Sequence, residues 1–373
     1  MKTDCLVVGA GLSGLLVARE LTLAGMGVAV LERGQPGRES SWAGGGILSP
    51  LYPWRYVESV NRLAAWSQKY YPQLCLQLLQ ETGIDPEWIR SGLLMPAIAE
   101  AAEQASAQQW AKTWQQACEV VDSRRRAMIE PALRVIPGQG LLFPQLAQVR
   151  NPRLLKALLA SLASNDVAVI PQTEVQSLHC DGGRILGVNS NRGRYQAERV
   201  VIAGGAWSAG LMHSLSIDLA VEPVRGQMLL FRSEPGWLHH VVLDGGHYAI
   251  PRRDGHILVG STLEYVGFDQ RTTDEARQQL LGFVRQWLPG LLDFDLVRQW
   301  AGLRPGTVDG VPFIGEHPQI SGLYVNAGHF RNGVVTGPAS ARLLRDIILG
   351  VSGSATIMDP QPYALNALLA ERV

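Results

Sequence analysis

The chain has 373 residues and no formal net charge, with 33 Lys+Arg against 33 Asp+Glu, and it is 46% hydrophobic and 18% charged. A charged fraction below the ~25% typical of soluble domains excludes a disordered chain, and the length predicts two domains or one large elaborated domain. The balanced charge argues against nucleic acid as a partner, because binding a phosphate backbone requires a net basic face.

The chain opens with a β-α-β pattern. Residues 4–8 predict a short buried strand, residues 9–14 a glycine-rich turn, and the apolar spacing over residues 12–24 a helix. Residues 28–31 predict a second strand that ends at Glu32. A unit of this kind is typical of a nucleotide-binding fold.

The remaining elements change in kind along the chain. The middle of the chain predicts a glycine-rich loop at 40–47, helices at 58–83, 100–121 and 152–162, and strands at 167–170, 174–178, 185–189 and 199–203. Alternating, β-branched segments between residues 221 and 262 predict an antiparallel sheet. The last part predicts a helix at 273–288, a buried strand at 323–326 and a helix at 334–349.

We therefore predict an α/β protein in which a Rossmann-like, nucleotide-binding domain is discontinuous and a mostly antiparallel β-sheet domain is inserted in it. The nucleotide-binding domain is predicted to comprise residues 1–84, 148–217 and 302–373. The inserted, substrate-binding domain is predicted to comprise residues 85–147 and 218–301.

The cysteines give no sign of a metal site or a disulfide framework. There are four, Cys5, Cys75, Cys118 and Cys180, with no C-x-x-C pair and no histidine at metal-ligand spacing. No apolar run reaches the ~20 residues that a membrane-spanning helix needs. We expect no metal, no integral membrane segment and a reduced, cytoplasmic environment.

The strongest motif is Gly9-x-Gly11-x-x-Gly14 followed by Glu32. In this setting the first glycine allows a tight turn, the second lets backbone approach a pyrophosphate, and the third lets the helix lie against the strand. The helix N-terminus offers free N–H groups to the pyrophosphate. Glu32 is expected to accept hydrogen bonds from ribose hydroxyls, and its charge disfavours a 2′-phosphate.

Two further segments favour FAD over NAD. The Ser-Ser-Trp-Ala-Gly-Gly-Gly-Ile loop at residues 40–47 lets backbone N–H groups come close to a planar ring. Residues 326–333 lie between a predicted buried strand and a predicted helix, so a second helix N-terminus is expected near the cofactor, where its dipole favours negative charge on a reduced flavin.

These segments, with residues 201–208 (Val-Ile-Ala-Gly-Gly-Ala-Trp-Ser) and 301–307 (Ala-Gly-Leu-Arg-Pro-Gly-Thr), resemble the FAD-dependent D-amino acid oxidase superfamily, and within it the branch of glycine oxidases of thiamine biosynthesis. The resemblance covers nearly the whole chain and implies a D-amino acid oxidase-like fold, non-covalent FAD and a homotetramer. No cysteine follows Cys180, so the covalent flavin link of the related sarcosine oxidases has no partner here.

The resemblance and the motifs together give the cofactor and substrate residues. The expected FAD contacts are Gly9, Gly11, Leu12, Ser13, Gly14, Glu32, Arg33, Ser40, Ser41, Gly45, Gly46, Ile47, Val175, Gly204, Trp207, His329, Arg331, Asn332, Gly333 and Val334. Val175 is implied to meet the adenine end, and Gly45 to Ile47 to lie along the isoalloxazine.

By resemblance, Arg304 and Tyr248 hold the substrate carboxylate and Arg331 is a second arginine at the site, either on substrate or supporting the flavin loop. A guanidinium fork suits bidentate carboxylate binding, and Pro305 and Gly306 are expected to place Arg304 on a stiff turn. The implied reaction is oxidative deamination of glycine, sarcosine or D-alanine, with hydride passing to flavin N5, oxygen as acceptor and peroxide as product. No side chain is expected to act as an acid or base.

Three alternatives remain open: a D-amino acid dehydrogenase that uses a quinone or another acceptor, a flavin domain related to tRNA-wobble modification, and a flavin-binding assembly protein without activity. The absence of a basic excess counts against the second, and the joint presence of Tyr248, Arg304 and Arg331 against the third. Gly246 and Trp42 depart from the family pattern and leave the substrate range open.

Overall fold

The structure is a computed structural model that describes residues 2–98, 100–213, 215 and 219–365. Its strands are β1 (Lys2–Val8), β2 (Val28–Leu31), β3 (Leu93–Met95), β4 (Glu119–Val121), β5 (Gly140–Phe143), β6 (Ala168–Ile170), β7 (Val175–Asp181), β8 (Arg184–Ser190), β9 (Gly193–Ile202), β10 (Glu222–Arg232), β11 (Val241–Asp244), β12 (His247–Pro251), β13 (His256–Gly260), β14 (Asp295–Gly306), β15 (Phe313–Glu316) and β16 (Leu323–Ala327). Its helices are α1 (Leu12–Leu23), α2 (Ser40–Ala43), α3 (Glu58–Thr82), α4 (Ala101–Thr113), α5 (Ser123–Ile129), α6 (Asn151–Ser164), α7 (Ser208–His213), α8 (Asp274–Trp287) and α9 (Gly333–Ile348).

The first sheet has the strand order β15-β16-β9-β1-β2-β6, with β7 and β8 attached through β9. Strand β1 lies at its centre, parallel to both β2 and β9. Alternate β1 residues face opposite layers: Cys5 and Val7 pack with helices α1, α3, α6 and α9, whereas Leu6 and Val8 pack with β7, β8 and β9. A parallel sheet covered on both faces explains why β1 and β2 read as continuous apolar runs.

The second sheet has the order β14-β10-β13-β12-β11-β3-β5-β4 and is antiparallel except where β3 runs parallel to β11. Helix α8 buries Leu280, Phe283 and Trp287 against one face of it. The predicted α/β architecture with an antiparallel insertion is therefore confirmed.

The two sheets draw on different stretches of the chain. Strands of the first come from residues 2–31, 168–202 and 313–327, and strands of the second from 93–143 and 222–306. The proposed domain boundaries stay a prediction: residues 217 and 218 and the C-terminal end at 373 lie outside the described residues, and residue 302 falls inside β14.

Three local predictions were wrong. The helix predicted at 100–121 ends at Thr113, because Glu119–Val121 pairs with β5 as an edge strand. Residues 40–47 are not all loop, since Ser40–Ala43 forms one helical turn. Arg304 lies on strand β14 rather than on a turn. The next residue, Pro305, can be part of this strand because β14 is the edge of its sheet, where the missing N–H of a proline is tolerated.

Candidate active site

A cavity of about 590 Å³ lies where the carboxyl ends of β1, β9 and β16 meet the second sheet. Its lining includes Gly9, Ala203 and Ala327 from the first sheet and Met228 and Tyr248 from the second. The carboxyl edge of a parallel sheet is where such folds bind ligands, because loops and helix N-termini gather there.

This cavity brings together most of the residues predicted from sequence. The lining includes Gly9, Gly11, Leu12, Ser13, Glu32, Arg33, Ser40, Ser41, Gly45, Gly46, Ile47, Val175, Gly204, Trp207, Tyr248, Arg304, His329, Arg331, Gly333 and Val334. Gly14 and Asn332, also in the predicted cofactor set, are not among the lining residues.

The glycine turn closes through contacts that exclude any side chain. Gly9 has φ +107°, and a Cβ on it would lie 2.5 Å from the Ala203 carbonyl oxygen. A Cβ on Gly14 would lie 1.9 Å from the Gly9 carbonyl oxygen and 3.3 Å from Val7 Cγ1. The role predicted for Gly14 thus needs a refinement: its tightest contact is with the turn itself, and the strand comes second.

The N-terminus of α1 faces the cavity, and its N-cap residue is Gly11, which has no side chain to cap the helix. Ser41 Oγ accepts from Leu12 N at 2.8 Å, so one helical N–H is already occupied. Glu32, which is 8% exposed, accepts from Ala10 N at 2.8 Å through Oε2 and from Gly34 N at 2.9 Å through Oε1. Its carboxylate therefore fixes the turn and keeps further lone pairs for a ligand.

Arg33 and Trp207 both line the cavity and stack on each other, and Phe268, from the loop after β13, stacks on the same tryptophan. The Arg33 guanidinium lies 3.6 Å from the Trp207 ring centroid, and Phe268 stacks on the same ring at 5.5 Å. Phe268 was not predicted from sequence, because nothing local links the loop after β13 to the residues after β9.

At the other end of the cavity, Arg304 is held by the second sheet. Its Nη1 donates to the Thr262 carbonyl at 3.1 Å and the Arg225 carbonyl at 3.3 Å, and its Nη2 donates to Ser261 Oγ at 2.7 Å. Burial lowers the pKa of the Arg304 guanidinium from its usual value, while the neighbouring Tyr248 raises it. Since a guanidinium has five N–H donors, donors remain for a carboxylate.

Gly226 makes room for this guanidinium. It pairs with Gly302, two residues before Arg304 on β14, and a Cβ on it would lie 2.1 Å from Arg304 Nη2 and 2.2 Å from Nη1. Sequence analysis missed both Gly226 and Ser261, because their proximity to Arg304 arises from strand pairing and not from any local pattern.

We predict that Gly226→Ala lowers kcat/KM for a carboxylate substrate by about ten- to hundredfold, since Arg304, the group expected to bind the carboxylate, would lose its alignment. The Arg304 guanidinium would have to leave its position over Gly226 of β10, whereas the residues expected to bind FAD on the first sheet would not be displaced. Steady-state kinetics with a flavin absorbance spectrum measure this. Gly282→Ala is the control, because a Cβ there meets nothing within 4 Å; equal kinetics for the two variants would contradict the prediction.

The other predicted site residues have defined positions. The Tyr248 hydroxyl donates to Met228 Sδ at 3.6 Å, and Met228 also lines the cavity. Arg331 Nη2 donates to the Gly246 carbonyl at 3.3 Å, which ties it to the β11–β12 turn. Trp42 packs edge-on against Trp300 at 5.5 Å and is not among the lining residues.

Both ring nitrogens of His329 have hydrogen-bond partners in the protein. Its ring lies between Asn326 Oδ1 at 2.9 Å and Thr336 Oγ1 at 3.1 Å. Burial lowers the pKa of His329 to about 4, so the imidazole is neutral near pH 7. The expectation that no side chain acts as an acid or base stays a prediction.

Comparison with known proteins shows which family the chain belongs to. Residues 4–347 match the family described as FAD dependent oxidoreductase. This chain is a member of that family. It is 48% identical to the glycine oxidase of Pseudomonas aeruginosa, over 98% of this chain and 99% of that protein. It is 32% identical to the bifunctional protein ThiO/ThiG of Trichormus variabilis, over 94% of this chain and 53% of that protein.

The fold of this FAD-dependent oxidoreductase also matches a solved relative. The crystal structure of glycine oxidase from Geobacillus kaustophilus superimposes with a TM-score of 0.91 and 29% identity, covering 98% of both chains. The resemblance to the D-amino acid oxidase superfamily and its glycine oxidase branch is thereby confirmed, as is FAD as the cofactor.

The cavity fits that cofactor. The N-terminus of α1, where Ser41 Oγ occupies one N–H group, lines the cavity and suits a pyrophosphate, and the lining Asn326 has a buried Nδ2 without a hydrogen-bond partner in the described part of the chain. Among the described residues, no helix is long and apolar enough to cross a membrane, and no group of three or more His, Cys, Asp or Glu could hold a metal.

Proposed function

We propose that this enzyme oxidatively deaminates glycine and other small amines, such as sarcosine and D-alanine, to the 2-oxo acid, ammonia or amine, and hydrogen peroxide. The observation that carries the proposal is Arg304, a cation held by Arg225, Thr262 and Ser261 with donors to spare, in the same cavity as the proposed cofactor residues. The names of the relatives described above support the same substrate class.

In this proposal the chain's residues bind and orient the substrate. Arg304 takes the carboxylate in a charge-assisted pair, and the Tyr248 hydroxyl adds a further contact. Met228 and Leu51 supply apolar walls at this end of the cavity. Bound FAD supplies the two-electron acceptor for the amine.

No described side chain is proposed to remove a proton from the substrate carbon. His329 is neutral and hydrogen-bonded on both ring nitrogens, and His247 Nδ1 contacts the Ser261 carbonyl at 3.2 Å. The amine proton leaves to solvent before oxidation. The protein's contribution is therefore to fix the orientation of the substrate, which converts an encounter into an intramolecular step.

The proposed cofactor contacts are the residues predicted from sequence, apart from Gly14 and Asn332. These two act indirectly, Gly14 through the glycine turn and Asn332 through the start of α9.

We also propose that oxygen is the acceptor, that the protein is a cytoplasmic homotetramer, and that its product supplies the glycine imine for thiamine thiazole synthesis. A D-amino acid dehydrogenase with a quinone acceptor is the competing function, and tRNA-wobble modification a more distant one.

The test is the purified protein with glycine, sarcosine and D-alanine in air, with oxygen uptake and peroxide measured together. We expect one peroxide for each oxygen consumed and each amine released. Substrate reduction of the flavin without reaction with oxygen, but with turnover on a soluble quinone, would favour the dehydrogenase. No reduction by any of these amines would refute the proposal.

We predict that FAD is held without a covalent bond. Acid or heat denaturation should release all yellow colour into the supernatant as free FAD, because no cysteine follows Cys180 to form the covalent link of the related sarcosine oxidases. Absorbance of the supernatant and of the redissolved pellet measures the distribution. Colour that stays with the precipitated chain contradicts the prediction.

A further inference from the structure

Four successive carbonyl groups of the turn at residues 43–46 are held by four different partners. Trp300 Nε1 donates to the Ala43 carbonyl at 3.1 Å, and Asn151 Nδ2 to the Gly44 carbonyl at 3.1 Å. Arg252 Nη2 donates to the Gly45 carbonyl at 2.6 Å, and Val149 N to the Gly46 carbonyl at 2.9 Å. The turn is thus fixed at every peptide.

These bonds determine where the N–H groups point. In a trans peptide the N–H lies opposite the preceding carbonyl, so the N–H groups of Gly45, Gly46 and Ile47 point away from the four partners. All three residues line the cavity, and none of these N–H groups has an acceptor in the described part of the chain. They form a row of free backbone donors beside the cavity.

Only glycine can occupy the centre of this row. Gly46 has φ +80°, and a Cβ on it would lie 2.1 Å from the Val149 carbonyl oxygen and 2.7 Å from Asn151 Oδ1. Any side chain here would push the turn away from Val149 and Asn151, so glycine is what lets the backbone keep this conformation with its N–H groups directed to the other side.

Arg252 is the one charged group among the four partners. It is 6% exposed, and its other hydrogen bonds go to Gln148 Oε1 at 2.6 Å and the Val149 carbonyl at 3.0 Å. All three acceptors are neutral. The nearby carboxylates of Glu87 and Asp254 are paired with Arg150 instead.

This cation stays charged despite its burial. Burial lowers the pKa of Arg252 to about 10, which leaves it protonated near pH 7. A buried charge without a carboxylate partner is costly, so its position requires an explanation beyond packing.

We propose that Arg252 is a positioning residue for the isoalloxazine ring of FAD, acting through the peptide between Gly45 and Gly46. This rests on the proposed function, which lays the ring along Gly45 to Ile47. The guanidinium polarises the Gly45 carbonyl, which strengthens the Gly46 N–H as a donor on the opposite side of the same peptide. Its charge behind the turn favours the flavin state with more negative charge, which is the reduced state.

The test compares Arg252→Met, Arg252→Lys and the wild type as FAD-loaded protein. We expect Arg252→Met to lower the equilibrium constant for flavin reduction by about tenfold or more, a shift in midpoint potential of about −30 mV for a two-electron couple. Arg252→Lys keeps the charge but not the fork, so its potential should lie between the two. The visible flavin spectrum should shift in the same order.

The neighbouring Arg253 provides the matched control. It is exposed and pairs with Asp85 at the surface, so Arg253→Met should leave potential and spectrum unchanged. A wild-type potential in Arg252→Met overturns the inference, even if glycine oxidation is confirmed. If Arg252→Met does not fold, Arg252→Lys decides, and a wild-type potential and spectrum there overturn it.

Two further outcomes separate this inference from the proposed function. Loss of FAD from both Arg252 variants, with circular dichroism unchanged, would make Arg252 a determinant of the whole cavity and would also overturn the inference. A wild-type protein that binds FAD but is not reduced by any amine removes the proposed substrate, whereas the potentials of the variants still test Arg252.

Discussion

Arg304→Ala should lower kcat/KM for glycine by about two to three decades while the bound flavin keeps its spectrum. In the proposed complex this guanidinium is the main partner of the substrate carboxylate, and removing one side of a buried charged pair costs about 2–5 kcal/mol. Its three hydrogen bonds to Arg225, Thr262 and Ser261 hold it on the second sheet, away from the glycine turn that begins α1. Steady-state kinetics and flavin absorbance measure the two effects separately.

Matched variants sharpen this result. Arg304→Lys should recover only part of the activity, because an ammonium group lacks the planar fork. Arg298→Ala removes an exposed arginine from the same strand and should leave kcat/KM unchanged. Amines without a carboxylate should be poor substrates of the wild type and lose nothing further in Arg304→Ala. Normal glycine oxidation by Arg304→Ala, or joint loss of FAD and activity, would show that Arg304 is not the anchor.

The nucleotide-binding half of the site could be predicted because its signals are local. The glycine turn, the strand before it and Glu32 are close in sequence, and the turn imposes its geometry through contacts between near neighbours such as Gly9 and Gly14. The apolar runs of β1 and β2 follow from burial on both sheet faces, which a sequence shows directly.

The substrate end could be predicted only in part. Resemblance gave Arg304, but Gly226, which makes room for it, and Ser261, which holds it, come close to it only through the pairing of β10 with β14 and the chain after β13. Strand pairing over such separations leaves no periodic signal. The strand at Glu119–Val121 was missed for the same reason, since its pairing with β5 decides its conformation.

The row of backbone donors at Gly45, Gly46 and Ile47 could be predicted better than the substrate end but less fully than the nucleotide-binding half. The triple glycine indicated a close backbone approach, but the direction of its N–H groups depends on four partners from three other parts of the chain, including Arg252. A glycine run predicts permissive backbone, and only the tertiary contacts show which way its N–H groups face.

Gly14→Val should yield protein without FAD and therefore without activity. Even the Cβ would lie 1.9 Å from the Gly9 carbonyl oxygen, so the turn must open and the N-terminus of α1 must move away from the cavity. Gly14→Ala introduces that same Cβ and should also lose most of its FAD. Absorbance at the flavin bands, relative to protein, measures the FAD content of the purified variants.

Gly11→Val separates loss of the cofactor from loss of the fold. A Cβ on Gly11 meets only Ser41 Oγ, at 3.2 Å, and Gly11 lines the cavity, so the added side chain occupies ligand space with little effect on the core. We expect Gly11→Val to fold, with wild-type circular dichroism, and to lack FAD. Gly282→Val, at an exposed helical position with nothing within 4 Å of its Cβ, should keep full FAD content. Stoichiometric FAD in Gly14→Val and Gly11→Val would mean that the glycine turn is not the pyrophosphate site.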